Sequence, residues 1–90
     1  MFKTLEELIA VIRQRKDSSA EESYTKKLLK DKKLSVEKVK EEIAELIEAI
    51  EKDTNKVHEA ADVLYHLMEL LESNDIKIED VMNELKKRQK

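Results

Sequence analysis

Residues 36–52 read VEKVKEEIAELIEAIEK, residues 53–55 read DTN, and residues 56–72 read KVHEAADVLYHLMELLE. This stretch predicts two long helices with a short break between them. In the first, Val36, Val39, Ile43, Leu46, Ile47 and Ile50 recur at helical spacing and form one apolar stripe. In the second, Val57, Ala60, Val63, Leu64, Leu67, Met68, Leu70 and Leu71 cover roughly half the circumference. A helix that is apolar over so wide an arc is expected to touch several neighbours. Asp53-Thr54-Asn55 ends the first helix and can cap the second. So short a connection makes the two helices antiparallel neighbours.

Working outward, Leu5, Leu8, Ile9 and Ile12 predict a first helix over residues 3–16. Residues 17–23 (DSSAEES) read as a loop, because the Asp17, Ser18 and Ser19 side chains compete with helical hydrogen bonds. A short helix is predicted over 24–31, anchored by Leu28 and Leu29, with KDKK at 30–33 as a polar connection. Ser35 is the expected N-cap of the first long helix, with Lys38 three residues on, so the capping box is incomplete. Ser73-Asn74-Asp75 ends the second. A last helix is predicted over 78–88, with Ile78, Val81, Met82 and Leu85 facing inward. The expected fold is all-α: a four-to-five-helix bundle forming one domain over residues 1–90.

Composition narrows the class. The chain of 90 residues has no Gly, Pro or Cys. Without Gly or Pro, long helices are favoured over tight turns. Without Cys, disulfide and thiolate chemistry are excluded and a cytoplasmic setting is expected. No apolar run is long enough to span a bilayer, and Glu6 and Glu7 interrupt any signal-like segment, so no membrane role is expected. A net charge of −3 with mixed signs argues against nucleic acid as a partner. Phe2, Tyr24 and Tyr65 are the only aromatic residues, so the core must be aliphatic. A core that small is expected to be completed by homo-oligomerisation.

The chemistry-bearing feature is a pair of carboxylate pairs. Glu42 with Glu45, and Glu59 with Asp62, are each spaced i,i+3 on a predicted helix. Glu41, Glu42 and Glu45 fall within a sector of roughly 100°, and Glu59, Asp62 and His66 within about 60°. On antiparallel neighbours these groups can converge across one groove. Such oxygen donors suit Mg²⁺ or Mn²⁺, and a site of that type suits chemistry on phosphates. The bland alternative is a solvated acidic face. Charged residues make up 43% of the chain, and Glu41, Glu42 and Glu45 lie largely opposite the apolar stripe. By the same token Lys38 alone reads as a surface lysine, His66 as a rim residue and Tyr65 as a half-buried one.

The whole pattern resembles a known one. Glu41-Glu42-x-x-Glu45, thirteen residues, then Glu59-x-x-Asp62 is similar to the EExxE…ExxD signature of MazG-type all-α nucleoside triphosphate pyrophosphohydrolases. Further segments resemble the phosphoribosyl-ATP pyrophosphohydrolase family of histidine biosynthesis. These are Glu22-Ser23-Tyr24-Thr25 with Leu28-Leu29, Lys38-Val39, and above all Glu59-Ala60-Ala61-Asp62-Val63-Leu64-Tyr65-His66-Leu67. Ile78, Asp80-Val81, Glu84-Leu85 and Arg88 match at the end.

The resemblance implies a MazG-like bundle, at least dimeric, that hydrolyses phosphoribosyl-ATP to phosphoribosyl-AMP and pyrophosphate. It implies Mg²⁺ as cofactor, with Mn²⁺ as a substitute, held by Glu42, Glu45, Glu59 and Asp62. Glu41 becomes a further ligand, a support for one, or the base that orients water. Lys38 is implied at the phosphate oxygens, Ser23, Tyr24 and Thr25 at the substrate mouth, and His66 and Tyr65 as supports. Arg15 and Arg88 are either solvated or reach the substrate of a partner subunit. Two departures bear on the phosphate mouth: Lys40 stands where the family carries Gly, and the KDKKLSV connection is shorter and lacks Gly. A sibling enzyme for other nucleoside triphosphates is the nearest rival reading. A non-catalytic helical module is the farther one, and the lack of a sustained heptad weighs against it.

Overall fold

The computed structural model describes residues 2–17 and 30–89. Among these are four helices: α1 (Lys3–Asp17), α2 (Lys32–Lys52), α3 (Lys56–Ser73) and α4 (Ile78–Arg88). No strand occurs among the described residues. The predicted limits of α1, α3 and α4 agree with these to within one residue. The short helix expected over 24–31 lies outside the described residues apart from Lys30 and Asp31, as do Leu28 and Leu29.

The centre of the core is Ile9 and Ile12 of α1 against Met68 of α3. Leu5, Leu8, Leu67, Leu71 and Ile78 close around it. The inward spacing expected for α1 is therefore observed. Ile12 is fully buried, at 0% exposure.

α2 corrects two expectations. Its N-cap is Asp31, not Ser35: the Asp31 side chain accepts a hydrogen bond from the Leu34 backbone N–H at 3.0 Å. The helix thus begins one turn earlier, and Ser35 lies buried inside it. The second correction concerns which face is covered. α2 buries Ser35, Val39, Glu42 and Ala49. These share one side at helical spacing, whereas Ile43, Ile47 and Ile50 of the expected stripe stay exposed. The side carrying Glu42, expected to be solvated, is the covered one.

The α2–α3 turn works without glycine. Asp53 and Asn55 both take left-handed backbone conformations, with φ of 56° and 36°. Asp and Asn tolerate this region better than other residues that carry a Cβ. The Thr54 N–H reaches back to the Ala49 carbonyl at 2.9 Å and closes α2. Lys56 pairs with Asp53 across the turn. Asn55 occupies the N-cap position of α3, but its side chain makes no capping bond.

At its other end α3 is well capped. The Asn74 side chain donates to the Leu70 carbonyl at 2.8 Å, and the Ile76 N–H to the Leu71 carbonyl at 2.9 Å. Lys16 of α1 donates to the Glu72 carbonyl at 2.7 Å, placing a cation at the negative end of the helix. Arg13 binds the buried Glu72 of α3 at 3.0 Å and forks onto Glu79 of α4 at 2.6 and 2.9 Å. That fork holds the Glu79 carboxyl down at about 2. α4 itself has no buried residue. Met82 and Leu85, expected to face inward, are about half exposed, and Ile78 makes the link to the core.

Candidate metal centre between α2 and α3

Helix geometry sets two groups of donors along the α2–α3 pair. On α2, Glu41, Glu42 and Glu45 each offer a carboxylate oxygen, all within 4.8 Å of one another. On α3, His58 offers a ring nitrogen and Glu59 and Asp62 each a carboxylate oxygen, again all within 4.8 Å of one another. Glu42 is buried, Glu45, Glu59 and Asp62 are half-buried, and Glu41 and His58 are exposed.

The two groups sense each other. Burial is the largest influence pushing the Glu42 carboxyl up to about 7. A hydrogen bond to Glu45 adds to it, as do the negative charges of Glu45, Asp62 and Glu41. Glu59 is raised in the same way, by partial burial and then by Glu45 and Asp62, with His58 opposing. Glu45 is therefore shared: it works on Glu42 within its own helix and on Glu59 across the groove. Carboxylates gathered like this repel unless a proton or a cation sits among them.

The donor set passes a test of fit for a divalent ion. The buried Glu42 Oε2 has no hydrogen-bond partner. Such an orphan is costly in a protein interior and is satisfied by a coordinated cation. Apart from His58, the remaining donors are carboxylate oxygens on helices, the type that hard divalent cations take. A cleft of about 290 Å³ opens beside the site at the turn, lined by Glu45, Glu48, Ala49, Lys52, Thr54, Asn55 and Glu59. Glu45 and Glu59 thus face both the donor cluster and open space.

The remaining expected residues fall in three places. His66 is buried one turn beyond Asp62, with its Nε2 3.9 Å from Glu42 Oε1. Burial, and then the Lys38 charge, lower its pKa and favour the neutral ring. Tyr65 meets that ring edge-on at 4.9 Å. Lys38 reaches Glu41 at 3.5 Å, at the outer rim of the site. Arg88 pairs with Glu84 on α4, and Arg15 is exposed at the end of α1. Ser23, Tyr24 and Thr25 lie outside the described residues. One residue was not anticipated from sequence: His58, whose Nε2 lies 3.4 Å from Asp62 Oδ2. Its i,i+4 spacing to Asp62 was the available signal.

Comparison with known proteins gives the same direction. The chain matches the family described as phosphoribosyl-ATP pyrophosphohydrolase over residues 5–89. It is 45% identical over 92 residues to a phosphoribosyl-ATP pyrophosphatase of Clostridium novyi, covering 96% of this chain and 81% of that protein. It is 42% identical over 89 residues to one of Haloarcula marismortui, covering 93% and 91%. It is also 45% identical over 87 residues to the histidine biosynthesis bifunctional protein HisIE of Pyrococcus furiosus. There it spans 96% of its own length but only 41% of the relative.

Proposed function

This chain belongs to the phosphoribosyl-ATP pyrophosphohydrolase family, and we propose on that premise that its α2–α3 groove hydrolyses phosphoribosyl-ATP to phosphoribosyl-AMP and pyrophosphate. The observation that carries the reading is the pair of facing donor groups, Glu41, Glu42 and Glu45 against Glu59 and Asp62. The bond cut joins the α- and β-phosphates. Water adds its oxygen to phosphorus, and the bridging oxygen leaves with the electron pair.

Glu42, Glu45, Glu59 and Asp62 hold Mg²⁺, for which Mn²⁺ can substitute. When bound, such an ion neutralises phosphate charge and lowers the pKa of a coordinated water. Glu41 lies exposed at the rim beside Lys38 and is suited to orient the water and take its proton. Lys38 is suited to bind phosphate oxygens. Neutral His66 supports Glu42 from behind. Ser23, Tyr24 and Thr25 belong to the substrate mouth by resemblance.

We also propose that the protein is a homodimer or a higher homo-oligomer, joined through the exposed Ile43, Ile47 and Ile50 of α2. Ile47→Glu is expected to shift sedimentation toward the monomer, and an unchanged profile would reject this face. No described helix is long and apolar enough to cross a membrane, and a cytoplasmic setting is the reading we propose.

The deciding assay is pyrophosphate release with Mg²⁺ from phosphoribosyl-ATP against a panel of nucleoside triphosphates. Release from phosphoribosyl-ATP is expected. Release from another nucleotide alone would move the enzyme to a sibling activity. No release, with no rise in Tm on adding Mg²⁺, would leave the acidic groups without a metal-binding or catalytic role.

A further inference from the structure

We propose that His58 is a nitrogen ligand of the metal centre, so that this protein holds its ion in a mixed nitrogen–oxygen donor set. The inference rests on the reading of the α2–α3 groove as a metal site and adds to it a donor of a different chemical kind.

The geometry comes first. His58 directly precedes Glu59 and stands one turn before Asp62, so all three side chains leave the same end of α3. Its Nε2 is 3.4 Å from Asp62 Oδ2 and 3.9 Å from Glu59 Oε1. Two donors bound to one ion at about 2.1 Å each lie roughly 3 Å apart at a right angle and roughly 4.2 Å apart when opposite. Both observed separations fall inside that range. The third separation, Glu59 to Asp62, is within 4.8 Å, so one ion can touch all three groups once the side chains close by a fraction of an ångström. The His58 side chain is 72% exposed, so its ring can turn from Asp62 to an ion without breaking any packing.

A second observation comes from the opposite helix. Glu42 is 9% exposed, its Oε2 has no partner, and the Asp62 charge acts on it. The opposite helix thus carries, within reach of the Asp62 charge, a buried carboxylate oxygen that lacks a partner. Neither feature depends on the other.

The donor type has a chemical consequence. Carboxylate oxygens alone favour hard ions such as Mg²⁺, whereas an imidazole strengthens binding to later divalent metals such as Co²⁺. Adding His58 should therefore raise affinity for Co²⁺ far more than for Mg²⁺. Mn²⁺, bound by either donor set, serves as the spectroscopic probe.

The test uses the whole chain and three metals alone, with no substrate. Calorimetric titration of Co²⁺ and Mg²⁺ is compared for wild type, His58→Gln and Asp62→Asn. Pulsed electron paramagnetic resonance of the Mn²⁺-loaded proteins reports a directly bonded nitrogen. The expected result is a nitrogen coupling in wild type that disappears in His58→Gln. Co²⁺ affinity should fall at least about tenfold in that variant, with Mg²⁺ affinity changed less than about threefold. A coupling that persists in His58→Gln would come from His66 and would overturn the assignment. So would the absence of any coupling in wild type, or unchanged Co²⁺ affinity. Asp62→Asn separates the two readings. If it loses metal while His58→Gln does not, only the His58 assignment fails. If it binds all three metals as wild type does, the metal site itself fails.

Discussion

α3 is packed from two sides, and the two contacts are made of opposite materials. Toward α1 it offers Met68, Leu67 and Leu71 to Ile9 and Ile12. Toward α2 it offers Glu59, Asp62 and His66 to Glu42 and Glu45. The first contact gains free energy by removing apolar surface from water. The second gathers carboxylates, which oppose each other. Of the four buried residues of α3, only Met68 is apolar; the others are His66, Glu69 and Glu72. Stability and chemistry are therefore divided between the two sides of one helix, and each can be disturbed separately.

The strongest disturbance should fall on the acidic side. Glu42→Gln and Asp62→Asn are each expected to lower pyrophosphate release roughly a hundredfold or more, through loss of a metal ligand. Helicity by circular dichroism should not change. Tm without divalent ions should hold or rise, since a charge is removed from a repelling cluster. Full activity in both variants would end the case for the acidic groove.

The apolar side predicts the reverse pattern. Ile12→Ala leaves a cavity at a fully buried position and should lower stability to urea by about 2–5 kcal/mol. Mn²⁺ affinity of the folded fraction should be preserved. If it falls in step with stability, the two sides of α3 are not separable.

Glu69 sharpens the comparison further. It is 1% exposed, and the Tyr65 side chain is the polar group that bears on its carboxyl. Burial pushes its carboxyl up to about 7 from an ordinary 4.5, with Tyr65 acting in the opposite sense. In the unfolded chain the group ionises near its ordinary value. The Glu69 contribution to stability is thus fully present below about pH 4.5, declines as pH rises toward 7, and is level above that. The decline attributable to Glu69 is on the order of 3 kcal/mol. Glu69→Gln should remove it, giving a flatter profile and a higher Tm at pH 8. Urea unfolding at pH 5, 6.5 and 8 checks this. An unchanged pH profile would mean that Glu69 finds a partner in solution.

Much of this division was legible in the sequence, and its failures have physical causes. Leu5, Leu8, Ile9 and Ile12 fixed the buried side of α1, and Asp53-Thr54-Asn55 fixed the turn. Ser35 was mistaken for the N-cap because Asp31, one helical turn earlier, has equivalent capping chemistry. The orientation of α2 was misjudged because an apolar stripe was assumed to face inward. Val39 and Ala49 are its buried apolar residues, and Ile43, Ile47 and Ile50 remain outside. Glu42, Glu45, Glu59 and Asp62 could be grouped from sequence because i,i+3 spacing survives any rotation of a helix about its axis. His58 was missed because one His beside an acidic pair has no signature until its ring is seen near Asp62.

The glycine-free turn has a kinetic consequence. Every proposed metal donor lies between residues 41 and 62, on two helices joined by only Asp53, Thr54 and Asn55. Contacts so close in sequence close early in folding, ahead of the docking of α1 against Met68. Mutual repulsion of the carboxylates opposes that early pairing, and a divalent ion relieves it. An ion bound in the proposed site would then take part in folding early rather than arrive late. Adding Mn²⁺ should accelerate refolding as well as slow unfolding.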